Sequence, residues 1–194
     1  MKNTEKFILI LLACTFLPTI AYANAGVPMI YLSYPVMLMA LIPIVLFESF
    51  LCAKLMQLTI KKSILPCTVA NTTSTVAGFP LAWGLLLGLE SITTEFSCGP
   101  GFDTTFKSVI TVIVEAAWLC PWEEQLFWMI PIAFVISLLV AFFLSLLIEF
   151  LILRKFHKNF KKREVWKATY LSNLSSYAIL VLLSFVYLGI SVPN

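Results

Sequence analysis

Four long apolar runs dominate this chain: about Tyr34 to Met56, Pro66 to Leu89, Leu126 to Leu153 and Val165 to Ile190. A helix crosses the ~30 Å hydrocarbon core of a bilayer with roughly 20 such residues, so each run is long enough to span. Backbone in hydrocarbon must satisfy its own polar groups, and a helix does so within a single segment. The expected fold class is an all-α integral membrane protein with four transmembrane helices. Composition argues against a soluble alternative. Of 194 residues, 60% are hydrophobic and 12% charged, against about 45–50% and about 25% in soluble domains. Pro43, Pro80 and Pro131 fall within or near the runs, where membrane helices tolerate them as kinks.

The first 25 residues differ in character. Lys2 and Lys6 precede an apolar stretch from Phe7 to Phe16, Pro18 follows, and Ala21-Tyr22-Ala23 and Ala23-Asn24-Ala25 both offer A-x-A cleavage sites. A basic start, a short apolar stretch and a small-residue exit read as a secretory signal peptide. The expected division is a signal peptide over 1–25 and a four-helix membrane domain over 26–194. That domain comprises hairpin one (34–89), an external loop (90–125) and hairpin two (126–190).

Charge gives the orientation. The first connection carries Lys54, Lys61 and Lys62; the third carries Arg154, Lys155, Lys158, Lys161, Lys162, Arg163 and Lys167 against Glu164 alone. The middle connection holds Glu90, Glu95, Asp103, Glu115, Glu123 and Glu124 against Lys107 alone. The positive-inside rule puts both basic loops in the cytoplasm and the acidic loop outside. A signal peptide independently puts the mature N-terminus outside. The expectation is a multi-pass protein of the bacterial inner (cytoplasmic) membrane with both mature termini outside. Its partners are then the lipid bilayer, anionic lipids at the basic loops, and other membrane proteins or a second copy of the chain. Charge segregated by loop is a topological signal and gives no footing for nucleic acid.

Within the middle connection, Phe106 to Leu119 is apolar apart from Lys107, Ser108, Thr111 and Glu115. It is too short to span comfortably and reads as an interfacial or re-entrant helix. Trp118, Trp122, Phe127 and Trp128 form an aromatic belt beside it. Cys98-Gly99-Pro100-Gly101 is a turn. Glu115, Glu123 and Glu124 read as solvated charge. Cys98 and Cys120 are a candidate disulfide closing the apolar helix into a cap, since the outside is an oxidising compartment.

The two hairpins also resemble one another. Phe47-Glu48, a basic loop and Asn71-Thr72-Thr73-Ser74 in the first are echoed by Ile148-Glu149, a basic loop and Asn173-Leu174-Ser175-Ser176 in the second. The asparagine follows the glutamate by 23 or 24 residues, and the copies are offset by about 101. Two hairpins of the same orientation form a parallel repeat about an axis along the membrane normal. At ~1.5 Å rise per residue each glutamate lies level with its asparagine, ~8–12 Å inside the cytoplasmic boundary. A carboxyl at that depth is costly unless it pairs, protonates or meets water. Glu48, Asn71, Glu149 and Asn173 are thus the candidate intramembrane polar pairs.

No catalytic, cofactor-binding or metal-binding residue is expected. The chain has no G-x-x-x-x-G-K-[ST], G-x-S-x-G or H-E-x-x-H pattern, and its single histidine, His157, sits in a Lys/Arg run. The leading expectation is a membrane protein without enzymatic activity, acting as a subunit, an assembly factor or a small transport-related component. One rival is a proton- or cation-coupled transporter or channel using Glu48 and Glu149. Another is a membrane thiol oxidoreductase using Cys98 and Cys120, although the C-x-x-C spacing usual for such chemistry is missing. Cys52 and Cys67 read as small apolar fillers, and Ser74, Gly78, Ala82 and Gly84-x-x-x-Gly88 as a close-packing stripe.

Overall fold

Long apolar runs become long helices. The computed structural model describes residues 26–95 and 98–191; residues 1–25, where the signal-peptide reading falls, lie outside them. Helix α1 spans Met29–Leu55. Helix α2, Ile60–Thr73, continues through a π-helical turn, Ser74–Gly78, into α3, Phe79–Thr94. The short α4 covers Thr105–Val114. Helices α5, Leu126–Phe156, and α6, Lys162–Ser191, complete the chain. Four helical rods are apolar and long enough to cross a membrane: α1, the continuous Ile60–Thr94, α5, and α6 as far as Val186. This is a multi-pass membrane protein. In each rod only 33–39% of the most apolar stretch is buried inside the protein. Ile42, Leu182 and Phe143 are among the large apolar side chains left facing outward. In hydrocarbon these positions carry no penalty, because lipid tails are as apolar as they are.

The four rods close into a ring: α1 packs on α2, α2 on α5, α5 on α6, and α6 back on α1. Their inward faces are corresponding positions of the two hairpins. Buried Met37, Val45, Glu48, Ser49 and Cys52 of α1 each have a buried counterpart 101 residues later in α5: Leu138, Leu146, Glu149, Phe150 and Leu153. Buried Cys67, Ala70, Asn71 and Ser74 are matched 102 residues later by buried Thr169, Ser172, Asn173 and Ser176 of α6.

The π turn has a local cause. Pro80 lacks an N–H, and its ring would collide with the carbonyl four residues back; widening the preceding turn removes the conflict. The same turn brings the backbone close to α5. A Cβ on Gly78 would lie 3.1 Å from Ile148 Cδ1, so glycine permits the approach.

One end of the bundle is a built cap. A two-residue strand β1, Val27–Pro28, pairs antiparallel with β2, Trp118–Leu119. Gly26 adopts φ +75°, and a Cβ there would come within 2.4 Å of Leu119 O. Trp83 Nε1 donates to Ala117 O at 3.0 Å and Met29 N to the same carbonyl at 2.9 Å. The expected single helix from Phe106 to Leu119 is corrected here: α4 ends at Val114, and the chain turns to form β2 against the N-terminal strand. Phe106, Val109 and Ile113 remain exposed along one face of α4, as suits a helix lying at the membrane surface.

The cap also corrects the reading of its acids. Glu115 is fully buried and accepts hydrogen bonds from Gly99 N (2.6 Å), Cys120 N (3.1 Å) and Trp122 Nε1 (3.1 Å). Glu90, at the end of α3, is buried and accepts from Trp118 N at 3.1 Å. Only Glu123 and Glu124 of the proposed solvated group lie exposed. Buried N–H groups need acceptors: Glu90 serves one in β2, and Glu115 serves two flanking backbone amides and an indole.

The opposite end holds the basic residues. Lys61 and Lys62 fall inside the first turn of α2 instead of in a loop. Between α5 and α6, the Arg154 guanidinium donates to Phe160 O at 2.7 Å, fixing the turn. Half-burial there lowers the pKa of His157 below its usual 6.5. Among the described residues, the one salt bridge joins Lys107 to Asp103 at 2.7 Å, at the cap.

Candidate carboxyl centre between the hairpins

Ring closure brings the two intramembrane glutamates together. Glu48 and Glu149, each 2% exposed, project from α1 and α5 into the bundle, where the turn Asn71–Ser74 and the turn Asn173–Ser176 each bond both carboxyls. Each carboxyl is held from both hairpins. Glu48 Oε2 accepts from Asn71 Nδ2 at 3.0 Å and Oε1 from Ser176 Oγ at 2.5 Å. Glu149 Oε2 accepts from Asn173 Nδ2 at 2.7 Å and Oε1 from Ser74 Oγ at 2.6 Å. The asparagine comes from the glutamate's own hairpin and the serine from the other.

The donors are themselves positioned by one turn of helix. Asn71 also donates to Cys67 O (3.1 Å) and Asn173 to Thr169 O (3.2 Å), each four residues back. Ser74 and Ser176 each sit three residues past the asparagine, within 3.1 and 3.0 Å of its carbonyl oxygen. The six side chains therefore form two interlocked, equivalent sets. Charge is the chemical question. A carboxylate has acceptors only, so two carboxyls can hydrogen-bond to each other only by holding a proton between them. Asn173 Oδ1, also buried here, has no hydrogen-bond partner; a buried acceptor left open calls for a reason.

Polar groups extend from this centre in both directions. Toward the cap, Ser145 Oγ and Tyr177 OH lie 2.8 Å apart. Toward the basic end are Ser49, Cys52, Cys67, Ser63 and Ser172, all buried. Cys52 Sγ lies 3.3 Å from Ser172 Oγ and Cys67 Sγ 3.6 Å from Ser63 Oγ. Both also belong to a buried apolar cluster with Ala70, Phe150, Leu153 and Val165, as the reading of them as small apolar fillers expects.

Cys98 and Cys120 are joined in the cap, with their Cα atoms 5.8 Å apart. Both sulfurs lie near the Glu115 carboxylate, but bonded to each other they offer no thiolate to a metal. From sequence, Ser74 and Ser176 stand in the repeated motif but not among the polar pairs; the cue to their role is their place one turn beyond the asparagine in each Asn-x-x-Ser.

No family model, curated protein or solved structure matches this chain.

Proposed function

We propose that this protein is a small, non-enzymatic, transport-related component of the bacterial cytoplasmic membrane, and that its Glu48–Glu149 pair takes up and releases a proton. The observation that carries this reading is the placement of two buried carboxyls on the same two helical turns, Asn71–Ser74 and Asn173–Ser176, at the centre of the bundle. A shared proton there is exchangeable charge at a depth where ionisable groups are otherwise rare. The open Asn173 Oδ1 supplies an adjacent acceptor, and the buried hydroxyls and thiols on either side supply polar neighbours.

The rest of the reading follows from sequence. Residues 1–25 are a signal peptide, the basic loops face the cytoplasm, the disulfide-closed cap faces outside with both mature termini, and the two hairpins arose by duplication. The matched burial at offsets of 101 and 102 supports duplication. Reporter fusions after Lys62, Cys98 and Lys162 test the topology, which requires inside, outside, inside.

A second reading has its own observation. All four carboxyl oxygens already accept from protein donors on both hairpins, which suits a static latch in a subunit or assembly factor. Proteoliposomes loaded with a pH-sensitive dye separate the two. Proton handling requires that wild-type protein dissipate an imposed pH gradient and that Glu48→Gln/Glu149→Gln, still folded, not do so. Wild-type vesicles no leakier than protein-free ones, or an unaffected double variant, would refute it.

A further inference from the structure

The basic end of the bundle holds two cavities, separate from the carboxyl centre. We propose that each seats the headgroup phosphate and first chain carbons of one anionic phospholipid. The first, of about 390 Å³, is lined by Lys61 and Lys62 from the first turn of α2 and by Phe156, His157 and Asn159 from the end of α5 and the turn beyond it. The second, of about 550 Å³, is lined by Lys162, Arg163 and Trp166 from the start of α6 and by Leu147 and Leu151 of α5. The two therefore flank the end of α5. Each takes its pair of cations from the first turn of a returning helix, and among the described residues no acid lines either one.

Charge selects the headgroup. Among the described residues the one salt bridge is at the cap, so these four cations have no carboxylate partner. Glu164, the nearest acid in sequence to the second pair, lines neither cavity and accepts from Lys161 N at 3.1 Å. The first turn of a helix adds its own outward N–H groups and positive dipole end, which suit a phosphate. His157, held below its usual 6.5 by half-burial, is neutral at neutral pH and with Asn159 offers uncharged donors. With no carboxylate to receive a headgroup amine, both cavities favour a net-anionic lipid over a zwitterionic one. Shape selects a lipid over a free phosphate. Leu65 at the first cavity and Leu147, Leu151 and Trp166 at the second are exposed, so both open sideways to hydrocarbon as well as to water. Leu147 stands nine residues before Phe156, the end of α5, on the order of 14 Å along the axis and enough for the first part of an acyl chain. Basic pockets between spanning helices are where anionic headgroups bind.

The experiment uses the full chain, purified in detergent and stripped of native lipid. Dioleoyl phosphatidylglycerol is titrated in, and the number bound is read by native mass spectrometry. Two molecules should be retained, dioleoyl phosphatidylcholine about tenfold less, and glycerol 3-phosphate, a headgroup without chains, should not displace them. Lys61→Gln/Lys62→Gln should weaken one site and Lys162→Gln/Arg163→Gln the other, each about thirtyfold at about fivefold per cation. Lys155→Gln/Lys158→Gln, exposed cations that line neither cavity, should leave both unchanged. Tryptophan fluorescence in bilayers needs no charge variant: brominated phosphatidylglycerol should quench more than brominated phosphatidylcholine, and Trp166→Phe should remove the excess. Equal retention of the two lipids overturns the sites, as does displacement by glycerol 3-phosphate, which marks a soluble phosphate as the ligand. Equal loss in Lys155→Gln/Lys158→Gln, which marks diffuse surface charge, or an excess of quenching that survives Trp166→Phe does the same.

Discussion

Deleting the two serine hydroxyls at the centre, Ser74→Ala with Ser176→Ala, should loosen the bundle without unfolding either hairpin. These hydroxyls make the side-chain bonds that cross from one hairpin to the other's carboxyl, at 2.6 and 2.5 Å. Each glutamate keeps its own-hairpin asparagine. Interhelical hydrogen bonds in membrane bundles contribute about 0.6 kcal/mol on average and up to about 1.7. Two bonds to buried carboxyls therefore predict a loss of about 1–3 kcal/mol, or about 5- to 150-fold in the unfolding constant. Because the sets are equivalent, the single variants should cost similar amounts. Because one helical turn serves both carboxyls, their sum need not equal the double.

Reversible unfolding in mixed dodecyl maltoside and SDS micelles, followed by tryptophan fluorescence, measures this. Ser184→Ala is the control, since Ser184 Oγ donates to Leu180 O of its own helix at 3.0 Å. It should change stability by less than about 0.5 kcal/mol. A double variant indistinguishable from that control would refute the claim that the serines join the hairpins. A loss confined to one of the two serines would refute the equivalence of the sets.

The cap carries two further predictions. Glu115→Ala strands the N–H groups of Gly99, Cys120 and Trp122, at about 1–3 kcal/mol for each left unpaired in the interior; the Cys98–Cys120 bond should then be reduced by dithiothreitol several-fold faster than in wild type, measured by alkylation and mass shift. Gly26→Ala forces a side chain into φ +75° against Leu119 O, a strain of about 1–3 kcal/mol; amide exchange at Met29 and Leu119 should accelerate, while the thermal transition of the four-helix bundle moves little.

How far the sequence reaches is set by the range of each interaction. Spanning helices are visible because length and apolarity are properties of a single segment, and some extend beyond the apolar runs where polar ends are wound into the helix, as with Lys61 and Lys62 in α2. The level of Glu48 with Asn71 follows from helix rise on one hairpin. The hydroxyls that cross to the carboxyls do not, because Ser74 and Glu149 are 75 residues apart and Ser176 and Glu48 are 128 apart; only ring closure relates them. The cap was least legible for a related reason. Glu115 read as a solvated acid because two of its three partners are backbone amides, which the side-chain pattern does not reveal. A two-residue strand has no periodicity to detect, so nothing local announces that β1 and β2 will need a carboxylate to complete them. The recurrence of one residue pattern in both hairpins supplies what local pattern lacks. When Glu48, Asn71 and Ser74 recur together as Glu149, Asn173 and Ser176, a two-fold arrangement must bring like residues into equivalent positions about one axis. Two carboxyls set close to such an axis are brought near each other by that symmetry. On the proposed reading, the proton they share follows from that arrangement, and changing either glutamate alters the charge state of both.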